Sequence, residues 1–331
     1  MLTAENIAGL YAIIPTPALP GAEQLGATGT VDLESTTALV EGLIRDGADG
    51  LIALGTTGEC ATLSEDDYRI FAAHLLEVVD GRIPTFIGTS ALGGHQVADR
   101  LRFLAERGAA GTLLGLPMWQ PVSTTMAVKF FREVSEAFPD MAVMVYANQR
   151  AFRYSYPLEF WEGVVDQAPT VVAAKYSRPK DLAALLEVTR GRINIVPNES
   201  TAAGFFEASP ETTTALWATA AAMGPAPVAA LMRAIQANDA LRVAAISADI
   251  RSANEPVAPI FGDPEIFATY NLQMEKARIN AAGYCECGRC RPPYDELPDP
   301  YLQAAQECGR RWALLHERYA SVSAVGAGET E

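Results

Sequence analysis

Short apolar runs alternate with amphipathic stretches along most of the chain, and the two periodicities predict strands and helices in turn. Runs over Leu10–Ile14, Gly50–Leu54, Pro84–Gly88, Gly111–Leu114, Ala142–Tyr146, Val171–Lys175, Ile193–Val196 and Thr214–Ala218 read as strands. The stretches between them read as helices near Leu33–Asp46, Ser64–Val79, Gln96–Arg107, Thr124–Ala137, Leu158–Asp166, Leu182–Thr189 and Pro225–Ala237, with a short helix after the seventh strand. Ser64 with Asp67 has the form of a helix start, a side-chain oxygen ahead of an acidic first turn. Units spaced by roughly 30 residues fit βαβ crossovers between parallel strands. No Gly-x-Gly-x-x-Gly follows the first strand, which speaks against a dinucleotide-binding sheet. Eight such units favour an α/β fold of the (β/α)8 TIM-barrel class. Helical patterning resumes over Asp239–Ala253, Pro264–Ala282 and Pro300–Ala320, interrupted by a loop, Gly283–Asp299, dense in Cys, Pro and Gly. The expected organisation is a barrel over 1–238, a C-terminal all-helical region over 239–320 and a flexible tail over 321–331.

Composition narrows the function classes. Against 25 Lys and Arg stand 40 Asp and Glu, a formal charge of −15. A surface so acidic repels phosphates, so neither nucleic acid nor an anionic membrane is an expected partner. The apolar stretch Ala215–Met232 is broken by Gly224, Pro225 and Pro227 and reads as a buried strand plus a helix start, not a membrane span. The first residues have no basic segment ahead of an apolar one, so no signal peptide is expected. Five cysteines, an odd number, point to a reducing cytoplasm and not to a disulfide framework.

Barrel chemistry sits at the C-terminal ends of the strands. The second strand ends in Gly55-Thr56-Thr57-Gly58-Glu59, a tight loop whose N–H groups and hydroxyls can converge on a carboxylate; it can equally be an ordinary Gly-rich turn. The sixth strand ends in Lys175. A lysine there is costly to desolvate, and a desolvated amine is a nucleophile for ketones; otherwise it snorkels to the rim or pairs with a carboxylate. The fifth strand ends Tyr146-Ala147-Asn148, placing a phenol one strand away, where it can move protons or simply complete a core. The fourth ends in Pro117-Met118-Trp119, and Trp119 can stack on an aromatic substrate or cap the core. Gln149, Arg150, Arg153, Arg178, Asn198, Glu199 and Ser200 follow strands five to seven. Cys285, Cys287 and Cys290 form a Cys-x-Cys-x-x-Cys cluster, one ligand short of a usual zinc site, with His74, His95 and His316 distant in sequence.

Gly-Thr-Thr-Gly-Glu, then a strand ending in Tyr, then one ending in Lys, resembles the N-acetylneuraminate lyase and dihydrodipicolinate synthase family of class I aldolases. Ile14-Pro15-Thr16-Pro17 fits as well. The family's Asn-x-Pro after the Tyr is replaced by Ala147-Asn148-Gln149, a departure from the synthase branch. Gly58–Leu63, Leu116–Trp119, Tyr146–Asn148, Ala174–Tyr176, Glu275–Arg278 and Cys290–Tyr294 are similar to the hydratase-aldolases that cleave benzylidenepyruvates in aromatic hydrocarbon degradation. The resemblance implies a lyase in which Lys175 forms the Schiff base, and Tyr146 moves protons with Asn148 placing the water. Gly55, Thr56 and Thr57 would hold the pyruvyl carboxylate, and Trp119 and Asn271 would line the rest of the pocket. The iminium is its own electron sink, so no metal or organic cofactor is implied. A homotetramer is implied by resemblance alone. Arg150, Arg153 and Arg178, if they face the pocket and are not solvated surface residues, would suit a ring carrying an ortho carboxylate, so the expected substrate is trans-2'-carboxybenzalpyruvate. The alternatives are trans-o-hydroxybenzylidenepyruvate, another pyruvate-dependent aldol reaction of the family, or a keto-acid sensor on the same barrel. Lys175 and Tyr146 together argue against the sensor.

Overall fold

The structure, a computed structural model, describes residues 1–178 and 181–327. Its eight strands are β1 (Gly9–Ile13), β2 (Gly50–Ala53), β3 (Thr85–Gly88), β4 (Gly111–Leu114), β5 (Ala142–Tyr146), β6 (Val171–Lys175), β7 (Asn194–Val196) and β8 (Ala215–Ala218). All are paired in parallel, in the order β7-β6-β5-β4-β3-β2-β1-β8. The two ends of that order meet just beyond the strands. Asn198 bridges Trp217 in parallel, and the Trp217 N–H donates to the Pro197 carbonyl at 2.8 Å, which closes the barrel. Every residue of β1 to β5 is buried. That is why these strands read as continuous apolar runs: a parallel sheet is covered on both faces. In β6 only the last residue, Lys175, is partly open.

Helices cross from each strand to the next, and their starts follow from side-chain chemistry. Asp32, Ser64 and Ser123 each accept a bond from a first-turn N–H, which satisfies a donor that the helix itself leaves free. Two helices of a single turn, Gln149–Phe152 and Ala258–Phe261, escaped the periodicity because four residues carry no period.

Three long helices complete the chain: Ala240–Asn254, Pro264–Ala282 and Asp299–Ala327. They share the core of the barrel. Val243, Ile246, Ile250, Ile279 and Trp312 belong to the same buried cluster as the strands, and the Trp312 indole donates to the Gly224 carbonyl at 3.0 Å. The last helix is carried past Ser321, where the sequence suggested that order ends; residues 328–331 of that tail lie outside the described residues. Among the described residues no helix is long and apolar enough to cross a membrane.

Candidate active site

A cavity of about 620 Å³ opens at the C-terminal ends of the strands. Gly55, Thr56, Thr57, Tyr146, Asn148, Arg150, Lys175, Arg178 and Asn271 all line it. At its floor Lys175 and Tyr146 are register partners on neighbouring strands. Lys175 Nζ lies 3.2 Å from the centre of the Trp217 ring and 4.9 Å from that of Tyr146. Burial pulls the amine down to about 7, and Glu199 and Glu275 oppose that pull. Near neutral pH a large share of Lys175 is therefore an unprotonated nucleophile.

The Tyr146 phenol is held from two sides. Thr56 Oγ1 is 2.8 Å away, and Asn148 Nδ2 donates to it at 3.1 Å. Asn148 reaches it because Asn148 is the N-cap of the helix Gln149–Phe152. Its Oδ1 accepts from the Ala151 N–H, which turns its Nδ2 toward the phenol. Thr56 comes from the loop after β2. That loop is flanked by two non-glycine residues in the left-handed region, Leu54 at φ 54° and Glu59 at φ 55°. Such backbone persists only where its surroundings impose it. Gly58 is required inside it, since a Cβ there would lie 2.5 Å from the Leu54 nitrogen.

What imposes it is a buried ion cluster. Glu59, whose side chain is 0% exposed, accepts from Lys276 Nζ at 2.8 Å, Arg291 Nη1 at 2.6 Å and the Arg291 N–H at 2.7 Å. Arg291 also donates to Thr30 Oγ1 and to the carbonyls of Thr16, Pro17 and Thr30, while Thr16 Oγ1 donates to the Gly58 carbonyl at 2.8 Å. Segments far apart in sequence, from Ile14–Pro17 to Cys290–Tyr294, thus fasten one loop. Partners so far apart in sequence leave no periodicity by which this contact could be foreseen.

The helix Pro264–Ala282 covers the cavity. Phe267, Asn271, Glu275 and Arg278 recur at helical spacing on its inner face. Arg278 pairs Glu275 with two bonds, at 2.8 and 3.0 Å, and donates to Asn254 Oδ1. Of these only Asn271 was expected; the spacing was the available signal for the rest. Trp217, on β8, was read only as part of a buried strand. Its indole donates to the Val196 carbonyl, so the ring faces Lys175.

Trp119 departs from its expected place. Arg153 donates to the Met118 and Trp119 carbonyls and so fastens that loop. The Trp119 ring is 73% exposed, and neither Trp119 nor Arg153 lines the cavity. The arginines divide as well. Arg178 is engaged by Asp181, Gln149 and the Ser155 carbonyl. Arg150 stacks on Phe267 at 4.1 Å, burial lowers its pKa, and no acidic partner bonds it among the described residues. Cys285, Cys287 and Cys290 are buried thiols, the first and third pushed up to about 12 by burial. Among the described residues no group of three or more His, Cys, Asp or Glu is placed to hold a metal.

The family model "Dihydrodipicolinate synthetase family" matches residues 23–307. Over 324 residues the chain is 41% identical to trans-O-hydroxybenzylidenepyruvate hydratase-aldolase of Pseudomonas aeruginosa, covering 97% of this chain and 96% of the relative. It is 35% identical over 327 residues to trans-2'-carboxybenzalpyruvate hydratase-aldolase of Nocardioides sp. (strain KP7), covering 98% of each. The solved structure of PhdJ bound to substrate intermediate superposes with a TM-score of 0.92 at 38% identity, over 96% of this chain and 99% of that one. A dihydrodipicolinate synthase from Thermotoga maritima, at 20% identity and a TM-score of 0.78 over 93% of this chain and 99% of that one, shares the fold. With the family model over most of the chain and relatives along nearly its full length, this chain is an enzyme that belongs to the dihydrodipicolinate synthetase family.

Proposed function

We propose that this enzyme is a Schiff-base hydratase-aldolase that adds water to an aryl-substituted benzylidenepyruvate and cleaves it to an aromatic aldehyde and pyruvate. The observation that carries the reading is one arrangement. A desolvated amine faces a phenol, and that phenol is bonded to Thr56 in the loop Gly55–Glu59. The substrate carboxylate sits at Gly55, Thr56 and Thr57, and Lys175 attacks C2. Loss of water gives an iminium conjugated to the alkene, so a second water adds at C4, the carbon bearing the ring. Tyr146 moves the protons, with Asn148 placing the water. Retro-aldol cleavage releases the aldehyde and leaves an enamine, which is protonated and hydrolysed to pyruvate. The iminium supplies the electron sink, and no metal or organic cofactor enters this scheme.

For the ring substituent, the more similar relatives favour an ortho hydroxyl, which makes the aldehyde salicylaldehyde. A second reading, the 2'-carboxylated ring with 2-carboxybenzaldehyde as product, is favoured by Arg150, a guanidinium on the cavity wall that no acidic side chain bonds among the described residues. Steady-state pyruvate release from the two substrates decides between them. A preference for the carboxylated ring that Arg150→Met abolishes establishes the second reading, and a preference for the hydroxylated ring removes it. Lys175→Ala is expected to abolish turnover of both, and retained activity would end the Schiff-base account. By resemblance the reading extends to a homotetramer, which sedimentation tests.

A further inference from the structure

Glu199 is a buried carboxyl in the cavity wall to which the reaction above gives no task. Lys175 pairs with Val196 across β6 and β7, so the residues after Val196 rise over the same rim. The turn Pro197–Ser200 is fixed there by the bridge from Asn198 to Trp217 and by Asn198 Oδ1, which accepts from Thr201. Glu199 is thereby held at 6% exposure, lining the cavity, and its Oε2 has no hydrogen-bond partner among the described residues. Six other charged groups line this cavity: Lys175 from β6, Arg150 and Arg178 from the segments after β5 and β6, Glu275 and Arg278 from Pro264–Ala282, and Arg251 from Ala240–Asn254. Of these, Arg278, Glu275 and Lys175 act on the Glu199 carboxyl. Arg278 is already matched by Glu275 through two bonds.

We propose that Glu199 is the counter-acid of Lys175: it holds a proton in the resting enzyme, releases it as the iminium forms, and stays ionised opposite that cation until pyruvate leaves. The inference rests on Lys175 being the Schiff-base lysine. Burial pushes both groups toward neutrality, the amine down and the carboxyl up. A neutral amine and a neutral acid carry the same protons as an ammonium and a carboxylate, and only the first pair contains a nucleophile. When the amine attacks the ketone, its nitrogen becomes bonded to C2 and the carbonyl oxygen becomes a hydroxyl. That hydroxyl departs as water with the Glu199 proton, leaving one iminium and one carboxylate. No proton is drawn from solvent, and the buried cation gains an anion that favours the protonated, electron-withdrawing form of the iminium over the neutral imine. Hydrolysis at the end of the cycle returns the proton. Because its proton goes to the departing oxygen, Glu199 is in this proposal a catalytic residue.

The test is rapid mixing with pyruvate alone, followed by borohydride quench and mass spectrometry across pH. Glu199→Gln, close in shape to the protonated acid, is the main variant. The wild-type trapping rate is expected to fall at high pH, where Glu199 ionises before the ketone arrives. In Glu199→Gln trapping is expected to slow about 100-fold or more, with that high-pH limb gone, and Glu199→Asp is expected to recover part of the rate. A Glu199→Gln profile matching wild type overturns the proposal, as does a Glu199→Asp no better than Gln. Lys175→Ala separates the two failures. If it takes no label while Glu199→Gln behaves as wild type, only the counter-acid falls; if it labels like wild type, the Schiff-base reading falls and carries this one with it.

Discussion

Lys175 owes its chemistry to the contrast between its two states. In the unfolded chain its amine titrates at an ordinary 10.5, and in the fold at about 7. The rate constant kcat/KM should therefore rise with pH through about 7, as the free enzyme uncovers its nucleophile, before any high-pH limb sets in; a pH profile flat from 6 to 8 would contradict the assignment. The same shift has a sign for stability. Between about 7 and 10.5 the unfolded chain binds the proton that the fold has lost, so this group makes the fold more stable as pH rises through that window. Lys175→Met removes the burden. It is expected to be inactive yet more stable by about 1–3 kcal/mol at pH 7, a gain that fades toward 10.5, read from urea midpoints at several pH values. Tyr146 is a different case, because its contribution lies in bonds to Thr56 and Asn148 and not in burial. Tyr146→Phe keeps the ring against Phe152 and should leave stability nearly unchanged while kcat falls by about 100-fold or more.

At the scale of elements, the loop after β2 and the helix Pro264–Ala282 form one unit joined by Glu59, Lys276 and Arg291. Removing one member of a buried ion cluster leaves the others desolvated without a partner, which costs about 3–5 kcal/mol. Glu59→Gln and Lys276→Met should each lower the urea midpoint on that scale. Because the loop between Leu54 and Glu59 also carries Thr56 and Thr57, both variants should raise KM more than they lower kcat. A stable Glu59→Gln enzyme with unchanged KM would show that the loop keeps its shape unaided. The strands, most helices and the rim positions of Lys175, Tyr146 and Thr56 were legible in the sequence, because two periodicities and one barrel rule locate them. The inner face of Pro264–Ala282 was legible only as a repeat, since the angle at which a helix docks is set by tertiary contacts. Trp119 differs from its expected place for a related reason. Its strand end is on the rim, but the loop that carries it is held by Arg153 through the Met118 and Trp119 carbonyls, and its side chain is exposed. Arg150 and Arg178, alike in sequence and both over aromatic rings, part company because Arg178 also finds Asp181.

For the whole molecule the question is whether the chain divides where its pattern changes. The switch from strand–helix units to helices alone at 238/239 falls in the structure between the helices Ala226–Gln236 and Ala240–Asn254, but the packing does not follow it. Val243, Ile246 and Ile250 complete the core that the strands begin, and Trp312 is bonded to Gly224. Cutting the chain there would expose that core, leave Glu59 without Lys276 and Arg291, and remove Asn271, Glu275 and Arg278 from the cavity. An isolated 1–238 fragment is therefore expected to retain helical circular dichroism but to lose the near-ultraviolet signal and cooperative unfolding of a packed barrel. Adding the 239–331 segment as a separate chain should restore part of both, since the lost contacts are ion pairs and apolar surface with no covalent element. A fragment that unfolds cooperatively alone would make the barrel an independent domain and the helices an accessory. The site would then have to be built from the rim residues alone, and Pro264–Ala282 would be a cover instead of a wall.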